Sequence, residues 1–304
     1  MAEISRAEIP IIDFSAFSTA DRATQLKVAA QINQACQTFG FFYLHQTGVS
    51  AIQIDQTFAQ TKAFFDLPLA LKTQVSRSPE TNCGYLPLAS ERLNPARLGD
   101  LKEAFNIGDH TLWPTEPSQF RPVVELFYQT CIQQVALPLL QALALALQLP
   151  DTFFIDRHGK NFFLRLLHYP AVEQAAANQL RAGEHTDYGT VTLLFQEPDA
   201  VGGLEIDAQG HWMPAPVIRD TILVNIGDAL QRWTNHRFCS TPHRVVFPEG
   251  VNSRRSRYSM ALFCDPNPDV EIACLPTCQT ADAPPLDPPI RYQDYLQSRF
   301  AATY

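Results

Sequence analysis

The chain has 304 residues, of which 46% are hydrophobic, so it can bury a large core. Its formal net charge is −8 at pH 7, which argues against nucleic acid as a partner, because phosphate binding needs a basic face. We expect neither a membrane span nor secretion, since we find no apolar run of about 18 residues and no charged-then-apolar leader. The odd number of cysteines, seven, shows no disulfide framework. We therefore expect a monomeric cytoplasmic protein with reduced thiols.

The first half of the chain predicts mainly helices. A short strand at Ile9–Phe14 is followed by an amphipathic helix at Asp21–Phe39. Further along, the sequence predicts a second strand and two more helices, at Gly40–His45, Ala51–Phe65 and Val123–Leu149. Leucines at core spacing predict that the last helix braces a sheet, and Pro138 predicts a kink in it.

The second half predicts strands. From Asn161 onward, strand-like runs alternate with Gly, Pro and Asn turns, as in the double-sheet barrels called jelly rolls. We therefore predict an α+β protein with a mainly β core, in which a jelly-roll barrel is braced by N-terminal helices. No repeat or linker divides the chain, so we expect one catalytic unit over 1–304, with a helical and mixed N-terminal region at 1–120 and the jelly-roll core at 161–280. Two irregular segments, Ala171–Gly183 and Pro276–Pro289, are candidate lids.

His185, Asp187 and His243 are candidate metal ligands. The run Asp187–Phe195 is rich in β-branched and aromatic residues, and positions two apart on a strand face the same way, so His185 and Asp187 can converge. His243 lies between two other strand-like runs, which suits a ligand from a second strand of one barrel. Two imidazoles and one carboxylate can hold one face of an octahedral Fe(II) and leave the opposite positions open. Two surface residues and a core histidine are the alternative interpretation.

A polar cluster is predicted near these ligands. In the run Arg257–Phe263, alternate residues share one face, so the guanidinium of Arg257 and the hydroxyl of Ser259 point into the same cavity. A buried arginine needs an anion, because an unpaired charge in an apolar barrel costs several kcal/mol. The strand Phe162–Tyr169 adds the hydroxyl of Tyr169. The sequence thus predicts a pocket with a metal at one end and a carboxylate receptor at the other.

With these motifs, the chain resembles the isopenicillin-N-synthase-like branch of the Fe(II)/2-oxoglutarate-dependent dioxygenases. The likeness covers nearly the whole length and also rests on the ordered segments Ile9–Phe14, Gly40–Leu44, Phe64–Pro68, Gly84–Tyr85 and Gly99–Phe105. One departure is Leu167, where many plant members carry Asn.

The resemblance implies a double-stranded β-helix fold and an iron-dependent oxygenase. The implied Fe(II) ligands, which are also the catalytic residues, are His185, Asp187 and His243. The implied contacts of the cosubstrate 2-oxoglutarate are Arg257, Ser259 and Tyr169. Such an enzyme uses O₂ and 2-oxoglutarate, releases succinate and CO₂, and oxidises a C–H bond of a small molecule by hydroxylation or desaturation.

The substrate is less well defined by the sequence. By the resemblance, Ala104 and Asn106 match substrate-facing positions where flavonoid-type members carry bulky aromatics, and Tyr85 is a further candidate. These residues predict a pocket less suited to a flat polyphenol. Two alternatives stay open. One is an iron oxidase of the isopenicillin-N-synthase type that needs no 2-oxoglutarate, and the other is a non-catalytic small-molecule binding protein of the same fold.

Overall fold

The helices of the N-terminal half form as the sequence predicts. The computed structural model describes residues 8–303, apart from 16, 18–20, 95–96, 160, 173–175, 177–178, 199–201 and 248–254. The α-helices are α1 (Arg22–Thr38), α2 (Ala51–Phe65), α3 (Leu69–Lys72), α4 (Phe120–Cys131), α5 (Leu137–Ala146), α6 (Asp228–Trp233) and α7 (Tyr292–Thr303). Asp21 caps α1 by accepting the amide of Thr24 at 3.0 Å, and Ser50 caps α2 in the same way.

The long helix predicted at Val123–Leu149 is present but divided. A π-helical segment, Ile132–Ala136, joins α4 to α5, and Pro138 lies in the first turn of α5. Pro138 has no amide hydrogen to continue the α-helical pattern, which is consistent with the π-helical interruption just before it. Contrary to our expectation, the stretch Phe120–Ala146 is long and apolar enough to cross a membrane by length and composition alone. Half of its most apolar window is buried inside the protein, and core helices pass the same test.

Two β-sheets form the centre of the molecule. The strands are β1 (Ile11–Asp13), β2 (Phe41–His45), β3 (Gly84–Leu86), β4 (Glu103–Ile107), β5 (Phe162–Tyr169), β6 (Ala182–His185), β7 (Val191–Gln196), β8 (Leu204–Ala208), β9 (His211–Pro214), β10 (Thr221–Ile226), β11 (His243–Val245), β12 (Arg257–Cys264), β13 (Glu271–Ile272) and β14 (Ile290–Arg291). One sheet has the order β1-β2-β10-β7-β12-β5-β4-β3, and the second has the order β6-β11-β8-β9. Residues of both sheets line one cavity of about 440 Å³. The double-sheet core is confirmed, although the described strands do not close into a barrel.

The larger sheet mixes strands from both halves of the chain. In the register of β2 and β10, which are antiparallel, Phe41 stands opposite Asn225. At the other edge, β4 pairs with β5, and Asn106 stands opposite Arg165. Strands from the N-terminal region and from the jelly-roll core therefore share one hydrogen-bonded sheet. All seven cysteines are unpaired.

Candidate active site

His185, Asp187 and His243 lie together in the cavity. β6 ends at His185 and β11 begins at His243, and these two residues stand opposite each other in the antiparallel pair. The Asp187 Oδ1 lies 3.9 Å from Nε2 of His185 and 3.8 Å from Nε2 of His243. One possible ligand atom from each of the three lies within 4.8 Å of the others. This spacing allows one metal ion to be bound by all three side chains.

Hydrogen bonds orient both imidazoles toward Asp187. Nδ1 of His185 contacts the carbonyl of Gly183 at 2.7 Å, and Nδ1 of His243 contacts the carbonyl of Thr241 at 3.2 Å. Since a carbonyl only accepts, Nδ1 carries the hydrogen in each ring, and the lone pair of each Nε2 is available to a metal. Burial and the neighbouring His243 lower the pKa of His185 to about 3. The ring is therefore neutral at pH 7, as a metal ligand must be.

The carboxylate of Asp187 is also oriented by its neighbours. Its Oδ2 accepts from the hydroxyl of Thr192 at 2.5 Å and from the amide of Asn225 at 2.6 Å, which leaves Oδ1 facing the imidazoles. Burial acts to raise the pKa of Asp187, but the two histidines and the two hydrogen bonds outweigh it and lower the pKa. One carboxylate oxygen and two imidazole nitrogens then face a common point, and this donor set fits Fe(II).

Arg257, the first residue of β12, lines the same cavity. Its side chain is 1% exposed, and the guanidinium donates to Ser259 at 3.2 Å and to Gln196 at 3.1 Å. Its central carbon lies 4.9 Å from the centroid of the Tyr169 ring. Nε has no hydrogen-bond partner, and no carboxylate in the described part of the chain pairs with this arginine. Burial lowers the pKa of Arg257, as expected for a cation without a counterion.

A second buried arginine, Arg181, adds to this positive charge. It is 0% exposed, and it donates from Nη2 to the carbonyl of Arg255 at 2.6 Å. Its Nε and Nη1 have no hydrogen-bond partner. Burial and the charge of Arg257 lower the pKa of Arg181 to about 10. Sequence reasoning missed Arg181 because it belongs to the segment Ala171–Gly183, which was interpreted as a loop.

The register of β5 and β12 orders the cavity wall. The lining residues of β5, taken from its C-terminal end, are Tyr169, Leu167, Arg165 and Phe163, and they stand opposite Arg257, Ser259, Ala261 and Phe263 of β12. The residues between them on β12 join the core beneath the helices. Leu167 therefore presents an apolar side chain beside Ser259, where an Asn is common in plant relatives. At about 3.4 Å per residue, the row from Arg257 to Phe263 spans roughly 20 Å.

A charged group missed by sequence reasoning lines the cavity near Arg165. The guanidinium of Arg165 donates to the carboxylate of Glu91. Lys102 Nζ lies 3.6 Å from Glu91 and 3.1 Å from Asp100. Opposite charges thus offset one another within this group. The residues come from separate parts of the chain, so no local pattern indicates that they meet.

The three residues predicted to select the substrate lie behind the cavity wall. The Tyr85 hydroxyl donates to Glu103 at 2.5 Å, and the Asn106 amide donates to the carbonyl of Asn82 at 2.9 Å. Ala104 is fully buried. None of Tyr85, Ala104 and Asn106 lines the cavity, although Asn82 does. The wall at this point is formed by β5 and by the segment that contains Asn82.

The C-terminal helix α7 covers the cavity, a role that the sequence did not indicate. Several of its residues line the cavity, whereas none of Pro276–Pro289 does. Tyr295 donates its hydroxyl to Asp228 at 2.6 Å, and Arg299 lies 3.9 Å from the same carboxylate. The other candidate lid, Ala171–Gly183, lies partly outside the described residues. Of its described residues, Ala182 lines the cavity.

Two family models match the chain. Residues 9–123 match the N-terminal region of non-haem dioxygenases in morphine synthesis, and residues 160–266 match the 2OG-Fe(II) oxygenase superfamily. The proline hydroxylase buaE of Petromyces alliaceus is 37% identical and covers 98% of this chain and 100% of its own length. The 2-oxoglutarate-dependent dioxygenase htyE of Aspergillus rugulosus is 34% identical and covers 89% of this chain and 91% of its own length.

Solved structures agree with these matches. A full-length Neurospora crassa protein, solved in complex with α-ketoglutarate, has a TM-score of 0.88 at 34% identity and covers 97% of this chain and 96% of its own. The protein JOX2, solved with 2-oxoglutarate and iron, has a TM-score of 0.82 at 26% identity and covers 96% and 85%. These relatives favour a reaction with 2-oxoglutarate over an oxidase that does not need it. The chain fits the isopenicillin-N-synthase-like branch, and it is an oxygenase that uses Fe(II), 2-oxoglutarate and O₂. It therefore belongs to the Fe(II)/2-oxoglutarate-dependent dioxygenases.

Proposed function

We propose that Fe(II) binds to Nε2 of His185, Oδ1 of Asp187 and Nε2 of His243. The observation that supports this most is the pattern of hydrogen bonds, which occupies the remaining nitrogen of each histidine and the second oxygen of the aspartate. Three ligands on one face leave room for a bidentate keto acid and O₂. Bound iron supplies the activation of O₂, for which amino-acid side chains are unsuited.

We propose that Arg257, Ser259 and Tyr169 receive the distal carboxylate of 2-oxoglutarate. The support is a buried guanidinium without a counterion, next to a hydroxyl and a phenol, in a cavity shared with the metal ligands. A hydrogen bond that involves a charged group contributes about 1.5–3 kcal/mol. The neighbouring Arg181 raises the positive potential at this end without lining the cavity.

The substrate is a small molecule, and we propose that it occupies the part of the cavity farthest from Arg257. A volume of about 440 Å³ must hold both substrates, so the oxidised one is small. One relative is named a proline hydroxylase, and the Neurospora crassa protein was also solved with thymine. Proline and thymine are both small rings, which supports a small cyclic substrate. We propose that a C–H bond of such a ring is hydroxylated or desaturated. Phe163 and Phe263 form an apolar part of the wall at the end of the cavity farthest from Arg257.

In this proposal, substrate choice also depends on three residues behind the cavity wall, which hold the wall in position: Asn106, Tyr85 and Ala104. Asn106 fixes the carbonyl of Asn82, a cavity-lining residue, and therefore holds that segment in place. Tyr85 braces Glu103 on the neighbouring strand. A change at either position would move the wall by a small distance, which matters in a cavity of this size.

We also propose a single catalytic unit over 1–304 that is monomeric and cytoplasmic and binds neither nucleic acid nor a membrane. The support for one unit is the hydrogen bonding between strands of the 1–120 region and strands of the 161–280 core. Unpaired cysteines fit a reducing compartment, and the net charge of −8 disfavours a polyanionic partner.

The test is succinate formation from 2-oxoglutarate in air by protein reconstituted with Fe(II). A metabolite library is added, and mass spectrometry identifies any product that gains one oxygen atom or loses two hydrogens. A substrate should raise succinate formation above the level seen without it, in equal amount to the product. Succinate formation that persists in a His243→Ala variant, or with no added metal and a chelator, would contradict the proposal.

A further inference from the structure

Asp265 and Tyr292 form a polar site at the far end of the cavity from Arg257. Asp265 directly follows β12 and continues the alternate series of lining residues on that strand, two positions after Phe263. Tyr292 is the first residue of α7, the helix that covers the cavity. Neither residue belongs to the metal site or to the Arg257 receptor.

The buried Tyr292 and the partly buried Asp265 lack partners that polar side chains in a protein interior normally have. Tyr292 is 0% exposed, and its hydroxyl faces Asp265 without forming a hydrogen bond of normal geometry. Asp265 forms no ion pair with any cation in the described part of the chain. Burial raises the pKa of Asp265 to about 7, although the nearby Tyr292 hydroxyl acts to lower it, and burial also raises the pKa of Tyr292. Poorly satisfied polar groups of this kind are costly, and they are typical of positions where a polar ligand binds.

The position of Asp265 relative to the metal ligands is fixed by Gly189. A Cβ atom placed on Gly189 would lie 1.8 Å from Oδ1 of Asp265, so the carboxylate packs directly against this glycine. Gly189 follows Asp187 by two residues. A group bound to Asp265 would therefore lie next to the turn that follows Asp187.

We propose that Asp265 and Tyr292 bind a protonated amine of the substrate. This inference rests on the proposed function, which places the substrate at this end of the cavity, and it adds the chemical class of that substrate. An ammonium group has several N–H donors and a positive charge, so it can pair with the carboxylate and also donate to the phenol oxygen. Its charge would also offset the repulsion between Asp265 and Asp187.

Two other occupants fit less well. A second metal ion would need more ligands, and His185, Asp187 and His243 form the one group of His, Cys, Asp and Glu side chains in the described residues that could hold a metal. A water molecule could satisfy the hydroxyl of Tyr292 but would leave the carboxylate without a counter-charge. Phe263, Leu296 and Phe300 line the same cavity and can contact the carbon skeleton of an amine.

The test measures binding of paired compounds to the anaerobic enzyme loaded with Fe(II) and 2-oxoglutarate. A library of small cyclic amines is used, each paired with the isostere in which a methylene replaces the ammonium nitrogen, such as L-proline with cyclopentanecarboxylate. By calorimetry, the wild type should bind at least one amine tenfold or more tightly than its isostere. Asp265→Asn, which keeps the size and removes the charge, should reduce that preference to within about twofold, a loss of about 1 kcal/mol.

Two further variants keep the test decisive. Asp269→Asn removes the same charge from an exposed position four residues away and should keep the amine preference. Tyr292→Phe should reduce the preference by a smaller factor, about threefold, and carries the test if Asp265→Asn does not fold. Thermal unfolding and 2-oxoglutarate affinity report whether each variant is intact.

The outcomes separate this proposal from the proposed function. If no amine in the library binds more tightly than its isostere, or if Asp265→Asn keeps the preference, the amine site is wrong. In that case, wild-type binding of 2-oxoglutarate with Fe(II) and the formation of succinate would still support the oxygenase assignment. Absence of 2-oxoglutarate binding by the wild type would instead contradict the roles proposed for Arg257 and the metal ligands.

Discussion

Arg257 and Tyr169 stand opposite each other on β12 and β5, and the guanidinium carbon lies 4.9 Å from the centroid of the aromatic ring. Contact with the ring stabilises the cation without neutralising it. Hydrogen bonds to Ser259 and Gln196 hold the guanidinium in the cavity wall. In the proposed receptor, the guanidinium is thus already held in place by the protein, so little side-chain ordering is needed when an anion binds.

Replacing this arginine should weaken cosubstrate binding. Arg257→Leu should raise the dissociation constant for 2-oxoglutarate by a factor on the order of 10 to 1,000, consistent with loss of a charged pair worth about 1.5–4 kcal/mol. Arg181→Met removes a charge that does not line the cavity, and a rise of roughly 3- to 30-fold is expected. Calorimetry on the metal-loaded, anaerobic protein measures both. Unchanged binding in Arg257→Leu would show that another cation holds the acid.

Loss of a metal ligand should abolish stoichiometric iron binding. His243→Ala should give a folded protein that retains no stoichiometric Fe(II), because two ligands remain. Asp187→Asn should bind the ion more weakly, since the anionic oxygen is replaced by a neutral one. Iron content after gel filtration, with circular dichroism as the check on folding, measures the effect. Full occupancy and turnover in both variants would mean that the metal binds elsewhere.

A residue that contacts no metal should also affect iron affinity. Asn225 donates to Oδ2 of Asp187 at 2.6 Å and is almost completely buried. Asn225→Leu should lower the affinity for Fe(II) by about 10- to 100-fold, because the carboxylate loses the hydrogen bond that orients it. Competition against a chelator of known affinity measures this loss. An affinity equal to that of the wild type would show that Thr192 alone is enough to orient Asp187.

The free energy of unfolding should decrease as the pH is lowered from 6.5 to 4, because of His158. This fully buried ring contacts the carbonyl of Phe154 at 2.6 Å and the hydroxyl of Thr190 at 2.7 Å, and burial lowers its pKa from 6.5 to about 4. Between these values the unfolded chain binds a proton that the folded protein does not. The free energy of unfolding should therefore fall by about 3 kcal/mol from this residue as the pH drops from 6.5 to 4. In metal-free protein, urea unfolding of His158→Gln should show a shallower pH dependence, and parallel curves would contradict this.

Asn106→Leu should reduce the coupling between 2-oxoglutarate decarboxylation and substrate oxidation. The substitution removes the hydrogen bond to the carbonyl of Asn82 and should let that part of the wall move. Once a substrate is identified, product formed per succinate should fall in the variant, because the substrate is held less accurately near the metal. Succinate formed without substrate serves as the comparison. Equal losses in both measurements would show that Asn106 supports the fold or the iron site instead.

Two features of the cavity could be predicted because each depends on local spacing: His185 lies near Asp187, and Arg257 shares a face with Ser259. Positions two apart on a strand share a face, which brings His185 toward Asp187 and Arg257 toward Ser259. The same alternation, continued by two residues beyond Phe263, would have indicated Asp265.

Other parts of the site depend on which strands are neighbours, and one sequence does not contain that information. Asn225 meets Asp187 because β10 pairs with β7. Every residue of β3 and β4 is buried, so the sequence pattern does not show which face of each strand points toward the cavity. The positions of Tyr85 and Asn106 relative to the cavity could therefore not be predicted. The contact of α7 with the cavity was also not predicted, because it depends on the path that the chain takes after β14.

The pairing of Phe41 with Asn225 joins residues that are 184 positions apart. Pairing between such distant residues is slow to form. During synthesis from the N-terminus, β2 lacks its partner β10 until residues 221–226 have been made. Since Asn225 orients Asp187, the geometry of the proposed iron site is completed late in biosynthesis. Iron insertion is therefore a step that follows synthesis of most of the chain, and a nascent chain that stalls before residue 221 carries an apolar strand, Phe41–Leu44, open to aggregation.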